Sequence, residues 1–218
     1  MVDRIFLEPN EFVDSDHPEI VAFSQQHAAG LEPVEAAVTL CRVVRERLRY
    51  NPWRVTFERG DYKASVVLAR PVEEGGHCID KALLLAALCR AQGIPSRLHF
   101  ANVRNHIGTA SLEAQLGTDL LVFHGYTELF LEGKWVAATP AFNLELCERL
   151  NVHPLEFDGR TDSIFQQYSP DGARFMEYVT DHGAHAGVPY EAMIAEWRQH
   201  YPAFMTQWPE RPERPEGA

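Results

Sequence analysis

Gly75-Gly76-His77-Cys78-Ile79-Asp80-Lys81-Ala82-Leu83-Leu84-Leu85-Ala86-Ala87-Leu88 is the stretch whose reading decides the fold. Two glycines interrupt regular structure, and apolar residues then occupy nearly every position. The helix this predicts, from Cys78 to about Gln92, is apolar almost all round and therefore buried on most sides. Gly93 offers a stop and Pro95 prevents a restart. Cys78 falls in the first turn. The unpaired N–H groups and positive dipole end of a helix favour a thiolate there.

Working outward, a first helix is expected from about Asp16, with Pro18 just inside it, to Gly30. A second starts near Pro33 and carries Val34, Ala37, Val38, Cys41, Val44 and Leu48 at helical spacing. Residues 50–75 are mixed and turn-rich and read as a long surface connection. Beyond the central helix, Arg97 to Val103 alternates like a strand, and Arg104 to Asp119 is polar and mixed. Leu120–Leu131, Glu132-Gly133 and Lys134–Thr139 read as strand, tight turn and returning strand. Pro189–Tyr201 is a plausible final helix.

The 218 residues are expected to form one domain over 1–208, with a Pro- and Glu-rich disordered tail over 209–218. A net charge of −11 argues against nucleic acid or an anionic membrane as partner. The N-terminus lacks the basic and apolar regions of a secretory signal, so a cytoplasmic location is the expectation. None of the four cysteines forms a CxxC pair, which disfavours disulfides and a zinc knuckle. His182 and His185 have a spacing seen in metal sites, but without supporting ligands they read as solvated histidines on a mobile loop. No metal or other cofactor is expected.

A cysteine nucleophile needs a base, and the base needs an orienting group. If Glu132-Gly133 is a two-residue turn, Leu131 faces Lys134, His124 faces Ala141 and Tyr126 faces Thr139. His124, Tyr126, Glu128, Thr139 and Ala141 then share one sheet face. Thr139 becomes a diagonal neighbour of His124, at ~7–8 Å between backbones. Glu128 lies about 13 Å along the strand from His124, too far to orient it. The Cys78 N–H is the natural first oxyanion donor at a helix start. His77, Tyr50 and Trp53 are candidates for the second, and Asn105, just past a strand, is a further substrate-contact candidate.

Several of these segments resemble the transglutaminase-like superfamily. They are Gly76-His77-Cys78, Lys81-Ala82, Leu88-Cys89-Arg90-Ala91-Gln92-Gly93-Ile94-Pro95-Ser96-Arg97, His124-Gly125-Tyr126-Thr127-Glu128-Leu129 and Gly133-Lys134-Trp135-Val136-Ala137-Ala138-Thr139-Pro140. The likeness is strongest over residues 33–145. It implies an α+β, papain-like fold, with the cysteine on a core helix packed against an antiparallel sheet that carries the histidine. It implies Cys78 as nucleophile and His124 as its base. The pattern usually has an Asp before the proline, where this chain has Thr139; a hydroxyl can accept the imidazole N–H but brings no charge. The implied activity is cysteine-dependent amide hydrolysis or acyl transfer through a thioester, on a peptide, protein or small amide. The alternative is a weakened family member that binds peptide or protein.

Overall fold

The computed structural model describes residues 2–106, 110–165 and 176–207. The expected tail over 209–218 lies outside them. In chain order the elements are helices α1 (Pro18–Ala28), α2 (Pro33–Arg47), α3 (Ala64–Ala69) and α4 (Cys78–Ala91), then strand β1 (Ser96–Asn105). Helix α5 (Ala110–Leu116), strands β2 (Leu120–Leu131) and β3 (Lys134–Ala138) and helix α6 (Leu144–Leu150) follow. Strand β4 (Met176–His185) and helices α7 (Tyr190–His200) and α8 (Pro202–Gln207) complete the described chain.

Helix α4 is the centre of the molecule, buried from Ile79 through Arg90. Leu83, Leu84, Leu85 and Leu88 are each fully enclosed, at ~1.5–3 kcal/mol of hydrophobic stabilisation apiece. Helices α1, α2 and α3 pack on one side of it and the sheet on the other. The helix ends where glycine permits: Gly93 takes φ +74°, its N–H donates to Arg90 O, and the Ile94 N–H donates to Cys89 O. Those two bonds form a Schellman stop. Arg90, buried beside it, donates to the carbonyls of Glu8, Ser96 and Ala186, tying the N-terminus, β1 and the end of β4 to the helix.

The four strands form an antiparallel sheet in the order β3-β2-β1-β4. The hairpin has the register expected from its turn, with Leu131 opposite Lys134 and Thr127 opposite Ala138. Odd-numbered β2 residues face α4, where Thr127 Oγ1 donates to Ala82 O. On the opposite face Tyr126 stacks on His99 and Glu128 pairs with Arg97, and His124 meets Phe165 of a second, smaller core that includes Ala101, Ala141, Phe142 and Met176. Cys78 touches both cores.

Two stretches differ from expectation. Residues 50–75 are not simply a connection, because α3 forms within them; the Ser65 N–H donates to Asp14 Oδ1 and the Ala64 N–H to Phe12 O, so distant residues hold its first turn. His182 and His185 lie on β4 rather than in a loop. His182 Nε2 donates to Asn102 Oδ1 at 2.8 Å and His185 Nε2 to His182 O at 3.0 Å. Among the described residues there is no cluster of three potential metal ligands and no helix long and apolar enough to cross a membrane.

Candidate active site

Where β1 and β2 approach α4, their register slips. Ala101 pairs with His124 and Val103 with Leu121, so Val122 and Phe123 together oppose Asn102. This is a bulge, and Phe123 takes φ +59° to make it. The Asn102 Oδ1 accepts the Phe123 N–H at 3.0 Å and fills the gap in the ladder. The distortion brings Leu121 through His124 to the wall of one pocket, which also has His77, Cys78 and Ile79 in its lining. The structure thus places the predicted nucleophile and base on a common cavity.

The sulfur sits against peptide groups. Gly125 lies where a Cβ would come 3.2 Å from Ile79 Cγ1 and from Phe100 Cε1, so the absence of a side chain lets β2 close on the first turn of α4. The N–H groups of Gly125, Ile79 and Cys78 act on the sulfur and favour the thiolate. Burial nevertheless outweighs them and, with some help from the Asp80 carboxylate, pushes the thiol up to about 11. This reverses the expectation drawn from the helix start alone: enclosure by two cores removes more water than the helix end replaces.

His124 is 4% exposed. Burial first, and then the charge on nearby His77, pull its imidazole down to about 4. Its Nε2 has no hydrogen-bond partner among the described residues, and neither has the buried Thr139 Oγ1. The two side chains are therefore not bonded to each other, although Thr139 lies just past the end of β3, as the register required. Glu128 is occupied elsewhere, with Arg97 at 2.5 Å and His99 at 3.3 Å. Asn143, another conceivable orienter, accepts the Tyr50 N–H.

The acid of this site stands behind the other imidazole. His77 Nδ1 lies 2.6 Å from Asp80 Oδ2, which also accepts the His77 backbone N–H and meets Arg70 Nη1 at 2.9 Å. Burial would raise the Asp80 carboxyl, but His77 and Arg70 together hold it below the ordinary range. The 2.6 Å contact with a carboxylate makes Nδ1 a donor, so Nε2 of His77, buried and without a partner, carries the lone pair or a second proton. The His-x-x-Asp spacing around Cys78 was the legible sign of this cap, since a carboxylate three residues into a helix can reach back to the backbone N–H that precedes it.

One turn from Cys78, Lys81 is fully buried. Its Nζ donates to Arg45 O and Leu48 O at 2.8 Å and Ala141 O at 2.7 Å. Burial pulls the ammonium down to about 7, and three carbonyl acceptors use all three of its protons. Lys81 thereby fastens the end of α2 and the turn after β3 to the nucleophile's helix. Of the other predicted residues, Tyr50 lines the pocket and Trp53 is not among its lining residues. Asn105 sits on β1 opposite Met176, and its side chain lies outside the described residues.

The transglutaminase-like superfamily model matches residues 22–140. Among solved structures, a candidate cysteine protease from Cytophaga hutchinsonii is similar, with a TM-score of 0.54 and 17% identity over 88% of this chain. The chain spans 50% of the length of that structure. No curated protein sequence matches.

Proposed function

The chain belongs to the transglutaminase-like superfamily, a family of cysteine-dependent enzymes with a papain-like α+β fold, and from that premise we propose that it cleaves or transfers amide acyl groups through Cys78. The observation that carries this reading is the shared pocket. Cys78 and His124 both line it, and three peptide N–H groups bear on the sulfur. The thiol proton passes to the His124 imidazole as the sulfur attacks the carbonyl carbon. Negative charge moves to the carbonyl oxygen and is met by backbone N–H groups of the α4 start. The C–N bond then breaks, the amine leaves with the proton from His124, and a thioester remains on Cys78. Water or an incoming amine, deprotonated by His124, releases the acyl group. His77 stands beside this path with its Nε2 unpartnered among the described residues, and Thr139, although not bonded to His124, is the orienting group this reading assigns.

An active-ester probe tests the proposal. p-Nitrophenyl acetate should acetylate Cys78, detected by peptide mass spectrometry, with a burst of nitrophenol. Cys78→Ala and His124→Ala should each abolish the burst. If wild-type protein gives neither burst nor adduct, the nucleophile assignment fails. Amine trapping of the acyl-enzyme separates transfer from hydrolysis.

The second reading, a binding module, draws on the absent acid behind His124. Any turnover that depends on Cys78 removes it.

A further inference from the structure

The pocket that holds Cys78 is apolar to an unusual degree for a site built around two imidazoles. Among the described residues, no Asp, Glu, Lys or Arg lines it. Its far wall is made by α5, α7 and α8, and the polar atoms of the large aromatics there are turned away. Trp197 Nε1 donates to Val122 O at 3.0 Å. The Tyr201 hydroxyl accepts the Val122 N–H at 2.6 Å and donates to Leu120 O at 2.8 Å. The backbone groups of the first β2 residues thus consume the indole and phenol heteroatoms, leaving ring faces toward the cavity. Phe204, Leu112 and Leu116 complete that side.

The volume open to the centre of a water molecule is about 70 Å³. At ~10–15 Å³ per water this holds roughly five waters, or ~150 Å³ of liquid. A benzyl group or a branched chain of about six carbons displaces that much. A carboxamide or charged chain would lose its hydration here with no partner on the far wall.

We propose that this cavity is a substrate subsite, and that the substrate carries an apolar group of about benzyl size close to the carbonyl that Cys78 attacks. The proposal rests on Cys78 as the nucleophile. It excludes glutamine side chains and acidic chains as the preferred occupants. The apolar group displaces solvent as it enters, and the carbonyl comes to the sulfur in the cavity wall.

The test uses three alkylating probes on the full chain: N-benzyliodoacetamide, iodoacetamide and iodoacetate. Each transfers its carbon to the Cys78 sulfur with loss of iodide. Rates at Cys78 are read by peptide mass spectrometry and divided by those of glutathione, which cancels each probe's intrinsic reactivity, and comparing probes at the one sulfur cancels the thiol's own basicity. The benzyl probe should gain about 10- to 100-fold over iodoacetamide, the range for burying one aromatic group, and iodoacetate should be the slowest. Leu112→Glu and Val55→Glu, on separate wall segments, should each collapse the benzyl advantage while thermal unfolding stays cooperative. A benzyl ratio equal to that of glutathione, or one that survives both variants, overturns the subsite. Failure here with an intact Cys78-dependent acetate burst would remove the subsite and keep the nucleophile. A benzyl preference without any burst would keep the cavity and remove the chemistry.

Discussion

Restoring an acid behind His124 is the most informative single change to this site. With the thiol near 11 and the imidazole near 4, the two groups stand about seven pH units apart in the unfavourable sense. Moving the proton from sulfur to imidazole then costs about 9–10 kcal/mol before the two charges attract. If the two charges form at roughly 4 Å, their attraction would return about 4 kcal/mol at an effective dielectric constant of 20. The resting pair is therefore neutral, and Cys78 should alkylate more slowly at pH 7 than a free thiol. Thr139→Asp would put a carboxylate at the position diagonal to His124, whose Nε2 has no partner among the described residues. An adjacent carboxylate raises a partner's pKa by about 1–3 units, so the ion-pair population and the alkylation rate should rise by about 10- to 1,000-fold.

The assay is the pseudo-first-order rate of iodoacetamide capture at Cys78, pH 7, in four proteins: wild type, Thr139→Asp, Thr139→Asn, and Thr139→Asp with His124→Ala. The aspartate should accelerate, the neutral amide should do much less, and the double variant should fall back to the wild-type rate or below it. Thermal unfolding checks that the new buried carboxylate is tolerated, and Thr139→Asn carries the comparison if it is not. A folded Thr139→Asp protein within twofold of wild type would refute the placement of Thr139, and a gain that survives loss of His124 would refute the role of the imidazole.

Two further outcomes follow from buried groups. His124 has a folded value near 4 against about 6.5 unfolded, so the unfolded chain binds its proton first. Its contribution, about 3 kcal/mol, is fully present above pH 6.5 and is lost as pH falls toward 4; urea titrations should show that slope in wild type and a flatter one in His124→Gln. Lys81→Met would leave the carbonyls of Arg45, Leu48 and Ala141 without their shared donor, at a cost of about 3–5 kcal/mol. A chemical-denaturation difference below about 1 kcal/mol would mean that those carbonyls find other partners.

The hairpin register and the all-apolar helix were legible because both are local: a two-residue turn fixes the pairing, and Gly93 fixes the helix end. Helix α3 was not, because Ala-Ser-Val-Val-Leu-Ala has weak helical propensity and its first turn is held by Asp14 and Phe12, some fifty residues upstream. Strand β4 was hidden for another reason. Of its ten residues only Met176 is buried, and its register against β1 shifts twice, so no regular alternation reaches the sequence. At the candidate site, the sequence pointed to Cys78 and His124, which do line one pocket, but their ionisation could not be read. A helix start favours a thiolate in isolation, and only the packing of α4 between two cores reveals that burial prevails.

That reversal bears on how a site of this kind does its work. Its ionic groups oppose a resting ion pair: Asp80 raises the thiol, and the charge on His77 lowers His124. What favours negative charge near the sulfur is a set of peptide N–H groups from Gly125, Ile79 and Cys78, fixed by a helix start and a strand that cannot move without breaking the core. Fixed dipoles stabilise charge wherever it develops and need no reorganisation when it does. In the proposed chemistry, negative charge appears on the carbonyl oxygen only as the C–S bond forms, while His124 gains its proton in the same event. An apolar substrate group filling the cavity would expel the remaining water and strengthen those dipoles at that moment. Burial keeps the resting thiol neutral despite those dipoles; in the proposed chemistry they lower the barrier only by as much as they stabilise the attacking state more than the resting one.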